Sequence, residues 1–427
     1  MTPQSSFMIL APIEPGRVQA LRDLLSSMNV APGRADANNA LLPFGRFDVI
    51  HFSRLVILDD PTVNDIEIYG VARRSYPLYL AVLADVDGSA DDFLARLVRD
   101  CAKGLRTIFS YCQPPPGDDL AAWMEKYRAD PAANYINWRG RTVRQLREEA
   151  ALATYLSQKR TELIGKPPSE VHRTLRSHVD KEISAGRLHL SSEPATPISW
   201  KLGNLANLIG VPLVLLLLSP FLLLYLPFFI VLLRSKERRD PEICPPPESA
   251  HAAKLSSIED YYVANQFSAM GTLKPGLFRR STIAFVLWLL DYTARHIYYR
   301  GHLARVSTIH FARWVFLDQK QRLFFASNYD GSLDSYMDDF INKVAFGLNV
   351  VFSNGVGYPR SNWLVLGGAK NEQKFKYFIR RHELATEVWY SAHPGLTASD
   401  LEKNTRIRQG LEAALSDEET REWLALL

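Results

Sequence analysis

Two short strings carry the residue types most able to do chemistry. Residues 50–54 read Ile-His-Phe-Ser-Arg and residues 309–313 read Ile-His-Phe-Ala-Arg, so His51 and His310 each precede an arginine, Arg54 or Arg313, by three positions. An imidazole that titrates near neutral pH can move a proton, and a fixed guanidinium can position an oxidisable group or hold developing negative charge. On a regular strand, side chains three apart face opposite ways, so a bulge or bend must intervene before both can serve one ligand. The alternative is a histidine packed at a sheet edge and an arginine paired with Asp59 or Asp318. Carboxylates recur in Asp-Gly-Ser turns at Asp87 and Asp330. His310, Arg313 and Asp330 are therefore the catalytic candidates. Ser353, Asn354, Tyr358 and Arg360, with Asn362, form a polar cluster beyond an expected strand and are the candidates for substrate binding. The chain has no HExxH, paired CxxC, GxSxG or complete phosphate-binding glycine motif, so nothing points to a common metalloprotease, zinc, hydrolase or nucleotide site.

The elements that must position these groups are written twice. ADVDGSADDFLARLVRDCAKGLRTIFSYCQPPP, from Ala84, parallels SNYDGSLDSYMDDFINKVAFGLNVVFSNGVGYP, from Ser327, and NYINWRGRTVRQL at 134–146 echoes VWYSAHPGLTASDL at 388–401. In each copy the pattern predicts a strand over HFSRLVIL or HFARWVFL and a second over YPLYLAVLADV or QRLFFASNY. A helix then follows, with Ser89 or Ser332 as its N-cap. Phe93, Leu94, Leu97 and Val98, and Tyr336, Met337, Phe340 and Ile341, give those helices one apolar face. TIFSYC and NVVFSN read as further strands. An opening strand near FMILAPI and a helix over VQALRDLLSSM complete a β-α-β-β-α-β order in the first copy, which is ferredoxin-like.

On that element order and repetition, residues 5–150 and 263–427 resemble the α+β barrel superfamily formed by dimers or duplicated chains. The expected class is α+β: two ferredoxin-like repeats forming a pseudo-dimeric barrel, with an apolar membrane-inserting segment between them. The superfamily includes haem peroxidases, chlorite-dismutase-like enzymes, monooxygenases and small-molecule binding proteins. Dye-decolorizing haem peroxidases carry a Gly-x-x-Asp-Gly motif whose aspartate works at the distal haem face. Here the strings are ADVDG and SNYDG, each without the first glycine. The resemblance implies a haem cofactor, with Asp87 or Asp330 as distal acids, and makes His302, His382 and His393 candidate ligands beside His310.

The chain has 427 residues, 47% of them hydrophobic, with 50 Lys plus Arg against 46 Asp plus Glu. A net charge of +4 spread among interspersed acids argues against nucleic acid as a partner. Three cysteines cannot all pair within one chain, which argues against a disulfide framework and suits a reducing compartment. The start, MTPQSSFMILAPIEPG, lacks the pattern of a cleaved secretory signal. Residues 209–233 hold no charge and are long enough to cross a bilayer, yet contain Pro212, Pro220 and Pro227. Paired repeats must lie on one side of a membrane, which favours a hairpin turning at Ser219-Pro220 over a kinked single crossing. The expected organisation is a first repeat (1–150), a helical connector (151–208), the apolar hairpin or kinked helix (209–233), a linker (234–262) and a second repeat (263–427). Residues 281–301 suit an interfacial or a core helix. Together these features predict a membrane-associated oxidoreductase-like enzyme facing the cytoplasm and acting on a hydrophobic or lipid substrate, with a second copy of the chain as a candidate partner. The alternative is a non-enzymatic membrane scaffold or lipid-binding module.

Overall fold

The computed structural model describes residues 1–298, 303 and 305–427. The fold is mixed α/β with antiparallel sheets and one long apolar helix. The first half runs β1 (Gln4–Pro12), α1 (Val18–Ser26), a small ladder of β2 (Asn29–Ala31) and β3 (Arg34–Ala35), β4 (Ile50–Leu58), β5 (Tyr79–Asp87), α2 (Ala90–Phe109), α3 (Leu120–Lys126) and β6 (Ala133–Ile136). Helices α4 (Val143–Arg160), α5 (Pro168–Ser184), α6 (Ile198–Arg239) and α7 (Ser249–Ser256) follow. The second half runs β7 (Ala264–Thr272), α8 (Leu277–His296), β8 (Ile309–Leu317), β9 (Arg322–Asp330), α9 (Leu333–Phe352), the ladder of β10 (Ser361–Asn362) and β11 (Leu366–Gly367), α10 (Glu372–His382), β12 (Thr386–Ser391), α11 (Ala398–Glu412) and α12 (Asp417–Leu424).

Two four-stranded sheets have the orders β1-β5-β4-β12 and β6-β8-β9-β7. Each takes three strands from one half of the chain and its last edge strand from the other. Strand alternation explains the packing. Val56, Leu58, Ala81 and Leu83 of one sheet meet Met270, Val315, Phe324 and Ala326 of the other, so the sheets pack face to face. Their opposite faces are covered by α1, α2 and α3 on one side and by α8, α9 and α10 on the other. Helices α4, α5, α11 and α12 form a separate cluster around Leu156, Leu175, Ile407 and Trp423.

The expected N-caps are present: Ser89 accepts from the N–H groups of Asp91 and Asp92, and Ser332 from that of Ser335. The expected strands over TIFSYC and NVVFSN are corrected. TIF and NVVF are the last turns of α2 and α9, because Leu97, Cys101, Leu105 and Ile108 continue the helical period and bury one face. The fourth strand of each sheet is instead β12 or β6, in the segments that echo each other at 388–401 and 134–146.

The expected hairpin is also corrected. Residues 209–233 lie inside one continuous 42-residue helix, α6, with all three prolines in its interior. Each proline frees the carbonyl four residues before it. The Ser219 hydroxyl donates to the Leu216 carbonyl at 2.7 Å, relieving Pro220, and the Tyr292 hydroxyl of α8 donates to the Leu208 carbonyl at 3.3 Å, relieving Pro212. A turn at the midpoint would leave many more backbone groups bare.

Candidate functional site

The two Ile-His-Phe strings occupy matching places in the sheets. The β4–β5 register shifts between Ile50 and Phe52, and the β8–β9 register between Ile309 and Phe311. These bulges fall at His51 and His310 and turn both the histidines and the following arginines into the layer between the sheets. His51 Nε2 lies 2.9 Å from Asp87 Oδ1, and His310 Nε2 lies 2.6 Å from Asp330 Oδ1. The second oxygen of each aspartate accepts a backbone N–H at the start of a helix, Val143 of α4 for Asp87 and Ala398 of α11 for Asp330, both at 2.8 Å. Each His-Asp pair thus ties a bulged strand to a helix N-terminus, where a carboxylate is favoured.

The arginines cross to the opposite sheet. Arg54 donates to the Phe267 and Ser327 carbonyls at 2.7 and 2.8 Å, and to Ser268 Oγ and Asn328 Oδ1. Arg313 donates to the Phe7 and Ala84 carbonyls at 2.8 and 3.2 Å and pairs with Asp85. Neither arginine uses Asp59 or Asp318, which pair instead with Arg22 and Arg322. The nearby carboxylate, Asp85, pairs with Arg313, and burial followed by repulsion from Arg313 pulls Arg54 down to about 9. It remains charged at neutral pH.

His393 sits in the same layer, its ring centroid 5.0 Å from that of Phe52, 5.8 Å from His310 and 6.1 Å from His51. Neither ring nitrogen has a hydrogen-bond partner, and burial, then the neighbouring histidines, holds its pKa well below the usual value. The haem arrangement implied by the resemblance does not fit these residues. Both oxygens of Asp87 and of Asp330 are committed to His-Asp and helix-start contacts, and His51, His310 and His393 are enclosed by Phe52, Phe311 and one another. His302 lies outside the described residues.

The other candidates do not gather into one site. Ser353 and Asn354 are fully buried. The Tyr358 hydroxyl donates to Asn349 Oδ1 at 2.7 Å, and Arg360 reaches the Asp240 carbonyl at 3.1 Å near the end of α6. Asn362 accepts from Arg234 at 2.6 Å. These groups fasten α9, β10 and α6 together.

A cavity of about 300 Å³ lies between the second sheet and helices α8, α9 and α10, at the lower end of the size of small-molecule sites. Its lining is almost wholly apolar, with Phe267, Leu290, Trp314, Phe325, Phe340 and Phe378 prominent. Phe346 borders it yet is 56% exposed, which marks the opening. His382 supplies one polar atom at the margin: its Nδ1 is 2.8 Å from the Phe378 carbonyl, whereas Nε2 has no partner. Burial pulls its pKa down to about 4, so the ring is neutral. Gly271 makes room for it, since a Cβ there would stand 2.6 Å from the ring. The sequence did not reveal this cavity because its walls come from six elements; the available signal was the pairing of bulky residues with Gly271, Gly347 and Gly355.

Helix α6 runs antiparallel along α8 and is anchored at both ends of its apolar run. Near the start, Asn204 accepts from Arg295 at 2.9 Å and Asn207 lies 2.8 Å from the His296 ring nitrogen. Near the end, Phe229 packs on Phe278, and Glu237 accepts the backbone N–H groups of Trp363 and Leu364, both at 2.8 Å. Between these anchors the helix is apolar and outward-facing, with Leu217 74% and Leu224 72% exposed. Among the described residues it is the one helix long and apolar enough to cross a membrane. Exposed Phe285 and Trp288 of α8, and Trp363 and Leu366 beside β10 and β11, add to the apolar surface.

Comparison of the chain with protein-family models, with curated proteins and with solved structures finds no match.

Proposed function

We propose that this chain is a membrane-surface module that holds a lipid-derived apolar molecule in the cavity between α8, α9 and the second sheet. The observation that carries the reading is that α6 exposes its uncharged run while both ends of that run are tied to one protein body. A helix crossing a bilayer could not keep both sets of anchors on one side. Lying in the membrane plane, it would bury its outward face among the acyl chains and keep the docked face on α8. The neighbouring cavity then has a reservoir of suitable ligands. Binding is favoured over catalysis because His310, Arg313 and Asp330 are committed to holding sheets and helix starts together. The two halves are proposed to be ferredoxin-like repeats with exchanged edge strands, a reading supported by their matching bulges, His-Asp pairs and crossing arginines.

Gly347 tests the cavity. It lines the space, lies in a helix, and a Cβ there would meet nothing within 4 Å. Gly347→Leu should fill the cavity without destabilising the fold, since replacing a helical glycine contributes about 0.5–1 kcal/mol. Mass spectrometry of protein extracted in mild detergent should find retained lipid in the wild type and depletion in the variant. Equal retention by both would contradict the assignment of the cavity.

A further inference from the structure

We propose that a second, basic cavity at the start of α8 binds a phosphate group, presented by an anionic lipid headgroup or free in solution. This cavity has a volume of about 200 Å³ and is bordered by Thr272, Lys274, Gly276 and Arg280, with Arg74 and Tyr76 opposite. Among the described residues, no aspartate or glutamate lines it.

Three independent features point to an anion. Helix α8 is 20 residues long, its N-cap is Gly276 with no side-chain cap, and its first turn contains no acidic residue. Its free N–H groups and the positive end of its dipole are therefore left for something else. Thr272 borders the same cavity and is only 7% exposed, and its Oγ1 has no hydrogen-bond partner. A buried hydroxyl without a partner is uncommon and marks a place for a ligand acceptor. The charge balance is also positive. Asp240 accepts from Lys274 at 2.8 Å and from Arg279, so one carboxylate faces two cations. Among the described residues, Arg74 and Arg280 have no acidic side chain paired with them. A hydroxyl, two guanidinium groups and an ammonium around one small space at the positive end of a helix suit an ion with several acceptor oxygens better than a single carboxylate.

The position suits a headgroup. Lys236, in the basic end of α6, lies beside Gly276, with Nζ 3.9 Å from where a Cβ would stand. Leu273 walls both cavities, so a headgroup in the basic one would sit next to the apolar one. The lipid source rests on the membrane-surface reading; the free-phosphate source does not.

The test uses the full chain and four forms: wild type, Arg74→Gln with Arg280→Gln, Thr272→Val, and a charge-matched control, Arg238→Gln with Arg239→Gln. Flotation with phosphatidylcholine vesicles, alone or containing phosphatidic acid, gives the lipid response; melting in detergent with inorganic phosphate gives the free-ion response. Wild type should bind the phosphatidic-acid vesicles about tenfold more tightly than neutral ones. The Arg74/Arg280 pair and Thr272→Val should lose most of that gain while still floating with neutral vesicles, and the control should keep more of it. A phosphate-dependent rise in melting temperature in wild type but not in Thr272→Val would support the site and identify free phosphate as a ligand. The proposal is overturned if Thr272→Val and the Arg74/Arg280 pair respond to both phosphate sources as wild type does. Failure of every form to float with neutral vesicles, with phosphate protection retained, would count against the membrane reading and support the site.

Discussion

At the scale of single residues, the groups that looked most reactive are the ones most completely used by the fold. Asp330 joins His310 to the first turn of α11, and Asp87 does the same for His51 and α4. Asp330→Asn keeps one acceptor oxygen for the Ala398 N–H but turns an NH2 donor toward His310 Nε2 and removes the negative charge at the helix start. It should lower stability by about 1–3 kcal/mol in urea unfolding, with Asp87→Asn close behind. A catalytic role alone would leave stability unchanged. The buried neutral histidines make a separate prediction. His382 has its pKa pulled down to about 4, against about 6.5 in an unfolded chain, and His393 is shifted the same way. As pH falls from about 6.5 to 4, the unfolded chain takes up protons that the folded one refuses, so stability is present above that window and is lost through it. The His382 share is roughly 3 kcal/mol. His382→Asn should flatten the decline measured by urea unfolding at pH 7 and pH 5, leaving the part due to His393. The repeated His-Phe-x-Arg pattern identified these positions from sequence. It did not reveal that each arginine would be spent on the opposite sheet, because those contacts join residues more than 200 positions apart.

At the scale of elements, alternation and capping were legible: the strands over His51–Leu58 and His310–Leu317 and the helix starts at Ser89 and Ser332 follow directly from their patterns. The ends of α2 and α9 were not. Their apolar, β-branched composition resembles a strand over six residues, and only the longer helical period distinguishes them. The same limit applied to α6, where three prolines suggested a turn and side-chain donors to two of the freed carbonyls allow a helix. Leu217 and Leu224 face outward and contribute nothing to the protein core. Leu217→Arg with Leu224→Arg should therefore abolish flotation with neutral vesicles while leaving the near-ultraviolet circular dichroism spectrum intact. Retained flotation would show that α6 is not the membrane contact.

At the scale of the whole molecule, the duplication carried more information than the composition. The two halves exchange edge strands and pack face to face, and the segment between them is one continuous helix of about 63 Å, tied to the protein body near both ends of its apolar run, rather than a hairpin. The cavity remained illegible because it is assembled only when β7, β8, β9, α8, α9 and α10 close around it. The central claim is that α6 lies along the membrane surface with both ends on the same face. Single cysteines at Ser192 and Glu248, exposed positions on either side of α6, test it most directly in a Cys244→Ser background, since Cys101 and Cys112 are buried. With protein bound to the outside of preformed sealed vesicles, a membrane-impermeant maleimide should label both positions to the same extent. Protection of one position until detergent is added would contradict the account and place α6 across the bilayer.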